Sequence, residues 1–166
     1  MKYVYALLLV VVLVGCAEAD RQVVDPITNI GSQLGASDWL DVELVNIQDS
    51  STYRINTYRE PVIVSFFQDN CITCQDQHQE LALMNETAFV LIYTQEAESA
   101  QEVLQQVPNI QAPVSVANNQ LLEKLQRSRF SGVNHLVIVC PDRSHESLPQ
   151  NNFSASQLEV MASDCR

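Results

Sequence analysis

The segment Cys71-Ile72-Thr73-Cys74 holds the residues of this chain best suited to chemistry. A thiolate is the nucleophile of disulfide exchange, and a second cysteine nearby can close the cycle. The pair directly follows residues 62–67, a continuous β-branched and aromatic run. Such a run suits a strand buried on both faces. Gln68-Asp69-Asn70 stops it, and Asn70 is a good N-cap for a helix from Cys71 to about Leu83. At a helix start, unpaired backbone N–H groups and the helix dipole stabilise a thiolate. The spacing therefore assigns attack to Cys71 and resolution to Cys74, one turn later on the same face. A zinc site would want two more ligands at knuckle spacing, and the sequence has no second C-x-x-C. Metal handling by the pair and an inert disulfide are the other readings.

His78 follows Cys74 by four residues, so on a helix it shares a face with both cysteines. Two thiolates and one imidazole can hold a soft ion such as Cu(I). The plain alternative makes His78 a solvent-facing helix residue and His135 a satisfied residue at a strand entry. Asp69 and Glu80 are candidates to relay a proton to Cys74, but nothing in the sequence singles out either. Asn85-Glu86-Thr87 and Asn152-Phe153-Ser154 are glycosylation sequons.

Around these residues the hydrophobic pattern alternates strands with helices. Residues 41–47 and 52–56 read as a hairpin around Gln48-Asp49-Ser50-Ser51. Residues 88–93 form a second buried strand, and 96–107 a polar helix stopped by Pro108. A short strand at 113–116 precedes a helix over 120–129, with Leu121, Leu122 and Leu125 on one face. Residues 136–139 are a third apolar strand, ended by Pro141, and 145–148 can pair with it. Ser154 and Gln157 spell a capping box for a last helix to about Asp164. The order β-β-β-α-β-α-β-α-β-β-α indicates an α/β layer fold with a mixed sheet, antiparallel at one edge.

The chain has 166 residues, with 20 Asp plus Glu against 9 Lys plus Arg, for a net charge of −11. That length fits one domain with a real core. At 46% hydrophobic and 17% charged, it lacks the composition of a disordered chain. The acidic balance argues against nucleic acid as a partner. Lys2 and the apolar run over residues 3–14 have the form of a secretory signal, too short to span a bilayer comfortably. Leu13-Val14-Gly15-Cys16 resembles the lipobox of prokaryotic lipoproteins, in which the Cys after the cut carries the lipid. The resemblance implies a signal peptide over 1–15, lipid attachment at Cys16, and a domain on the extracytoplasmic side of the cell membrane. Residues 16–37 read as a polar tether and 38–166 as the folded domain. That compartment permits disulfides.

From about Asp41 onward the chain resembles a thioredoxin-fold domain of the membrane-anchored TlpA type. Glu60-Pro61-Val62-Ile63-Val64-Ser65-Phe66 matches that family's first core strand, and Cys71 and Cys74 fall on its redox pair. The early hairpin matches its N-terminal extension, and the added β-α element before the closing hairpin is typical of it. Gln77, Glu80, Cys140-Pro141-Asp142 and Cys165 resemble an archaeal lipoprotein subgroup. The resemblance implies a three-layer α/β thioredoxin-like fold and thiol–disulfide oxidoreductase activity with no cofactor. It implies exported cysteine-containing proteins as substrates and a membrane thiol–disulfide carrier as electron donor. The chain departs from the family at Asn70, where Trp is usual, and at Ile72-Thr73, which lacks the common Pro. The substrate-binding cis-Pro loop aligns with Val133, Asn134 and His135, placing Asn134 at the Pro position. Pro113 is the alternative cis-Pro.

In a thioredoxin-like end, the strand closing at Cys140 and the helix closing at Cys165 lie at the same end of the domain. A structural disulfide between them would staple the last helix to the sheet, a closure worth about 3 kcal/mol. Cys140 would then lie roughly 20 Å from the redox pair, too far for a relay. Two separate buried thiols are the other reading. Copper chaperones of the Sco type also use this fold with two cysteines and a distal His. They supply a second reading, copper held by Cys71, Cys74 and His135. A non-catalytic binding module on the same scaffold is the third.

Overall fold

The computed structural model describes residues 37–69, 71–107, 109–128, 135–149 and 153–165. The stretch expected to be a signal peptide, Cys16 and the expected tether up to residue 36 lie outside them, as do Asn70, Val133, Asn134 and Asn152. Ser37, read as the last residue of the tether, instead opens a 3-10 turn, Ser37–Asp41, that buries Trp39 and Leu40.

Five strands form the central sheet: β3 (Val62–Phe67), β4 (Ala88–Tyr93), β5 (Val114–Val116), β6 (His135–Val139) and β7 (His145–Pro149), in the order β5-β4-β3-β6-β7. A small separate hairpin pairs β1 (Leu44–Val45) with β2 (Thr52–Tyr53). The pairs β3–β4 and β4–β5 are parallel, whereas β3–β6 and β6–β7 are antiparallel. The helices are α1 (Ile72–Ala82), α2 (Ala100–Gln106), α3 (Asn119–Arg127) and α4 (Ala155–Ser163). The fold is the expected three-layer, thioredoxin-like α/β arrangement with a mixed sheet.

Every residue of β3 is buried. Its side chains alternate between two cores. Ile63 and Phe67 pack with Cys74 and Leu81 of α1, Val103 of α2, and Leu158 and Ala162 of α4. Val62, Val64 and Phe66 pack on the other side with Trp39 and with Leu121 and Leu125 of α3. Ser65 shares its parity with Ile63 and Phe67 and so faces the α1 side.

The early hairpin is shorter than its sequence pattern. Residues 42, 44 and 46 are all buried, so the alternation persists beyond the ladder. The backbone there is committed elsewhere. Ile47 N–H donates to Val114 O at 2.8 Å, and Asn46 Oδ1 accepts from Val114 N–H at 3.2 Å. These bonds cover the outer edge of β5, an edge that would otherwise invite pairing with another chain. The second arm turns into a 3-10 segment, Ile55–Thr57. Helix α2 starts at Ala100 rather than Glu96, because Ser99 is extended and its side chain accepts from Glu102 N–H. Helix α3 begins at Asn119, one residue ahead of the expected start, and is capped by Asn118. The capping box of Ser154 and Gln157 stands at the head of α4.

Cys140 and Cys165 are bonded, with an S–S distance of 2.09 Å and Cα atoms 5.2 Å apart. Val139 pairs with Val62, so this bond sits at the end of the sheet where β3 begins. We expect Cys140→Ser with Cys165→Ser to lower the unfolding free energy by about 3 kcal/mol, because a long loop is no longer closed in the unfolded chain. Urea denaturation under oxidising conditions reads this as a lower midpoint, with the Cys71–Cys74 bond still formed.

Candidate redox site

The site begins where β3 ends. Thr94 N–H and Thr94 Oγ1 both donate to Phe67 O, at 3.0 and 3.2 Å. Asp69 N–H donates to Gln95 Oε1 at 2.9 Å. These bonds fasten the exit of β3 to the exit of β4, just ahead of the cysteines. Helix α1 then begins at Ile72, one residue later than expected, with Cys71 itself at the N-cap.

Cys71 and Cys74 are bonded, with an S–S distance of 1.97 Å and Cα atoms 5.1 Å apart. Their environments differ. Cys74 is 1% exposed and Cys71 9%, with Ile72 standing out beside them at 74%. The Cys71 sulfur accepts from Cys74 N–H at 3.2 Å and lies 3.5 Å from Thr73 Oγ1. It therefore sits among helix N-terminal donors, the setting that stabilises a thiolate once the bond opens.

The inward face of α1 carries Cys74, Gln77, His78 and Leu81, the i, i+3, i+4, i+7 spacing of a buried stripe. Two of its four members are polar, and both have partners. Gln77 Nε2 donates to Phe153 O and its Oε1 accepts from Phe153 N–H, each at 2.8 Å. Glu80 accepts from Ala155 N–H at 2.9 Å. From the opposite side, Glu159 of α4 accepts from Asn85 and Glu86 N–H, at 2.7 and 3.2 Å. These bonds hold its carboxyl below the ordinary value. Helix α1 and the turn after it are thus bonded to α4 and to the residue that leads into it.

His78 is 3% exposed, which corrects its reading as a solvent-facing residue. Its Nε2 lies 3.2 Å from Ser65 Oγ, and its ring meets Phe67 edge-on at 5.0 Å between centroids. Burial pushes His78 down to about 4 from its ordinary 6.5. The ring is therefore neutral at pH 7. The burial of His78 and its link to Ser65 escaped sequence reading, although the spacing 74/77/78/81 was the available signal.

His135 stands opposite Phe66, at the redox end of the sheet. Among the described residues, no three His, Cys, Asp or Glu side chains are grouped to hold a metal ion. Pro113 enters β5 through a trans bond, as no described peptide bond is cis. It is therefore not a cis-Pro. Val133 and Asn134 of the expected loop lie outside the described residues. Among the described residues no helix is long and apolar enough to cross a membrane.

No protein-family model and no curated protein sequence matches this chain. Solved structures do. A secreted Mycobacterium tuberculosis disulfide oxidoreductase, homologous to Escherichia coli DsbE, superposes with a TM-score of 0.59 at 14% identity, over 78% of this chain and 99% of its own. The exposed lipoprotein thioredoxin of Streptococcus pneumoniae gives 0.58 at 14%, over 74% and 98%. The thioredoxin domain of a Bacteroides vulgatus thiol-disulfide oxidoreductase gives 0.60 at 11%, over 73% and 92%. At these identities the likeness establishes the fold.

The buried ring makes folding sensitive to acid. Between about 6.5 and about 4, the unfolded chain's histidine binds a proton that the folded one does not. Stability therefore falls as pH falls through that window, by up to about 3 kcal/mol from this group. Urea midpoints measured from pH 7 to pH 4 should drop less steeply for His78→Leu than for the wild type. Parallel curves would show that His78 does not carry the effect.

Proposed function

We propose that this chain is a membrane-anchored, extracytoplasmic thiol–disulfide oxidoreductase of the TlpA type. The observation that carries the reading is the Cys71–Cys74 disulfide at the head of α1, with the Cys71 sulfur among N–H and O–H donors. The lipobox-like Leu13-Val14-Gly15-Cys16 supports lipid attachment at Cys16. The likeness to an exposed lipoprotein thioredoxin and to a secreted oxidoreductase supports the same compartment.

In the reducing direction, the Cys71 thiolate attacks one sulfur of a substrate disulfide. The substrate S–S bond breaks, a mixed disulfide forms, and the first substrate thiolate leaves. Cys74, deprotonated, then attacks the Cys71 sulfur. The Cys71–Cys74 bond forms, and the second substrate thiolate leaves. Two electrons pass to the substrate, and a membrane thiol–disulfide carrier restores the dithiol. The oxidising direction runs these steps in reverse. Substrates are exported cysteine-containing proteins, engaged beside exposed Ile72 and His135 at the start of β6, with Val133 and Asn134 as the further expected contacts.

A redox titration in glutathione buffers, with disulfides mapped by mass spectrometry, tests this. Cys71–Cys74 should open and close reversibly while Cys140–Cys165 stays shut, and the midpoint gives the direction of flow. Cys71→Ser should abolish turnover, and Cys74→Ser should trap the substrate on Cys71. A pair that does not cycle across the accessible potentials would end the catalytic reading.

A further inference from the structure

Resolution of the mixed disulfide requires Cys74 to lose its proton, and Cys74 is 1% exposed. That enclosure, seen with the pair bonded, favours a protein group over bulk water as the acceptor. On α1 the choice is narrow. Asp76 is exposed, and the Glu80 carboxylate is engaged by Ala155 N–H nearly two turns away. His78 lies one turn below Cys74 on the same inward stripe. Side chains on a helix lean toward its N-terminus, so the His78 ring is carried back over the Cys74 turn.

The ring's bonding leaves one nitrogen available. Nε2 meets Ser65 Oγ, whereas Nδ1 is buried with no hydrogen-bond partner. A neutral imidazole has one donor and one acceptor nitrogen. With Nε2–H donating to Ser65, Nδ1 carries the free lone pair.

We propose that His78, oriented by Ser65, accepts the Cys74 proton during resolution and returns it when the substrate leaves. This rests on the oxidoreductase reading above. The step balances. The Cys74 S–H bond breaks as an N–H bond forms on His78, giving a thiolate beside an imidazolium. The thiolate attacks the Cys71 sulfur, the substrate thiolate departs, and the proton passes from His78 to it.

The site also explains how a ring so hard to protonate can serve. In the disulfide state burial acts on it alone, and no charged neighbour offsets that. A thiolate at Cys74 adds a negative charge within one helical turn, which favours the imidazolium. The other titratable groups around this space are few. Cys71 heads the same helix. From β4, Tyr93 packs on the far side of Phe67, its hydroxyl pushed up to about 12 by burial and by Asp69. From β6 there is His135, at the strand's start. The buried contributions of α4 are Leu158 and Ala162, and its Glu159 is held at Asn85 and Glu86. Asp69, whose Oδ1 is buried without a partner, is the rival acceptor. It precedes Cys71, whereas His78 lies beneath Cys74.

The test is a nuclear magnetic resonance titration of the full chain, oxidised and then reduced with a phosphine, reading the Cys74 Cβ and the His78 ring together. In the reduced chain the ring should show a step coupled to Cys74 ionisation that the oxidised chain lacks, and His78→Gln should displace that ionisation at least about tenfold. Cys74 ionisation unchanged in His78→Gln, with no coupled step at the ring, would overturn the proposal. In quenched-flow resolution of a mixed disulfide, His78→Gln should slow the second step about a hundredfold at pH 7 and flatten its pH profile. Ser65→Ala should show a smaller slowing with the profile displaced. A flattened profile in Asp69→Asn, with His78→Gln unchanged, would instead assign the proton to Asp69. If His78 responds to reduction while the wild-type pair turns over no protein disulfide, the proton coupling stands and the enzymatic reading falls.

Discussion

Strand β3 has neither a face nor an edge in water. Parallel β4 lies on one side of it, antiparallel β6 on the other, and helices cover both faces. Its six residues therefore have one register and one direction available. The C-terminal exit of β3 fixes where the cysteines stand, and the bonds from Thr94 and Gln95 hold that exit in place. Everything else about the site follows from this constraint. Ser65 faces α1 because it shares parity with Ile63 and Phe67. His78 meets Ser65 because α1 runs back along that same face.

The inward stripe of α1 is unusual in composition. Burying Gln77 and His78 costs free energy unless their polar atoms are matched. Gln77 is matched fully, by both backbone groups of Phe153. That pairing, with Glu80 and Glu159, turns the cost into specificity, since an apolar stripe would hold α1 against α4 less exactingly in register. His78 is matched at one nitrogen only. A buried ring satisfied at one nitrogen, one helical turn from Cys74, is the feature on which the proposed proton transfer rests.

How much of this the sequence disclosed depended on how local the cause was. The strands over 62–67, 88–93 and 136–139 were legible because continuous apolar runs have few other uses. The cysteine pair was legible from spacing, and the head of α4 from Ser154 and Gln157, two residues that cap each other. The ends of the first hairpin were not, because Asn46 and Ile47 bond to Val114, a partner nearly seventy positions away. The start of α2 was misplaced because a second local cap, Ser99, competes with the acidic residues before it. His78 was misread for a deeper reason. Periodicity reports burial through apolar residues, and here half of the buried stripe is polar.

The two disulfides occupy opposite ends of the sheet, and β6 sets the distance between them. His135 stands opposite Phe66 and Val139 opposite Val62, so the strand spans roughly 15 Å from one site to the other. Electrons cannot pass between bonds so separated by direct exchange, which requires sulfur–sulfur contact. Mechanical support can. The Cys140–Cys165 bond fixes the far end of α4, α4 carries the bonds to Asn85 and Glu86, and the segment leading into α4 carries those to Gln77 and Glu80. The covalent staple therefore steadies the helix that bears Cys71 and Cys74 without sharing its chemistry.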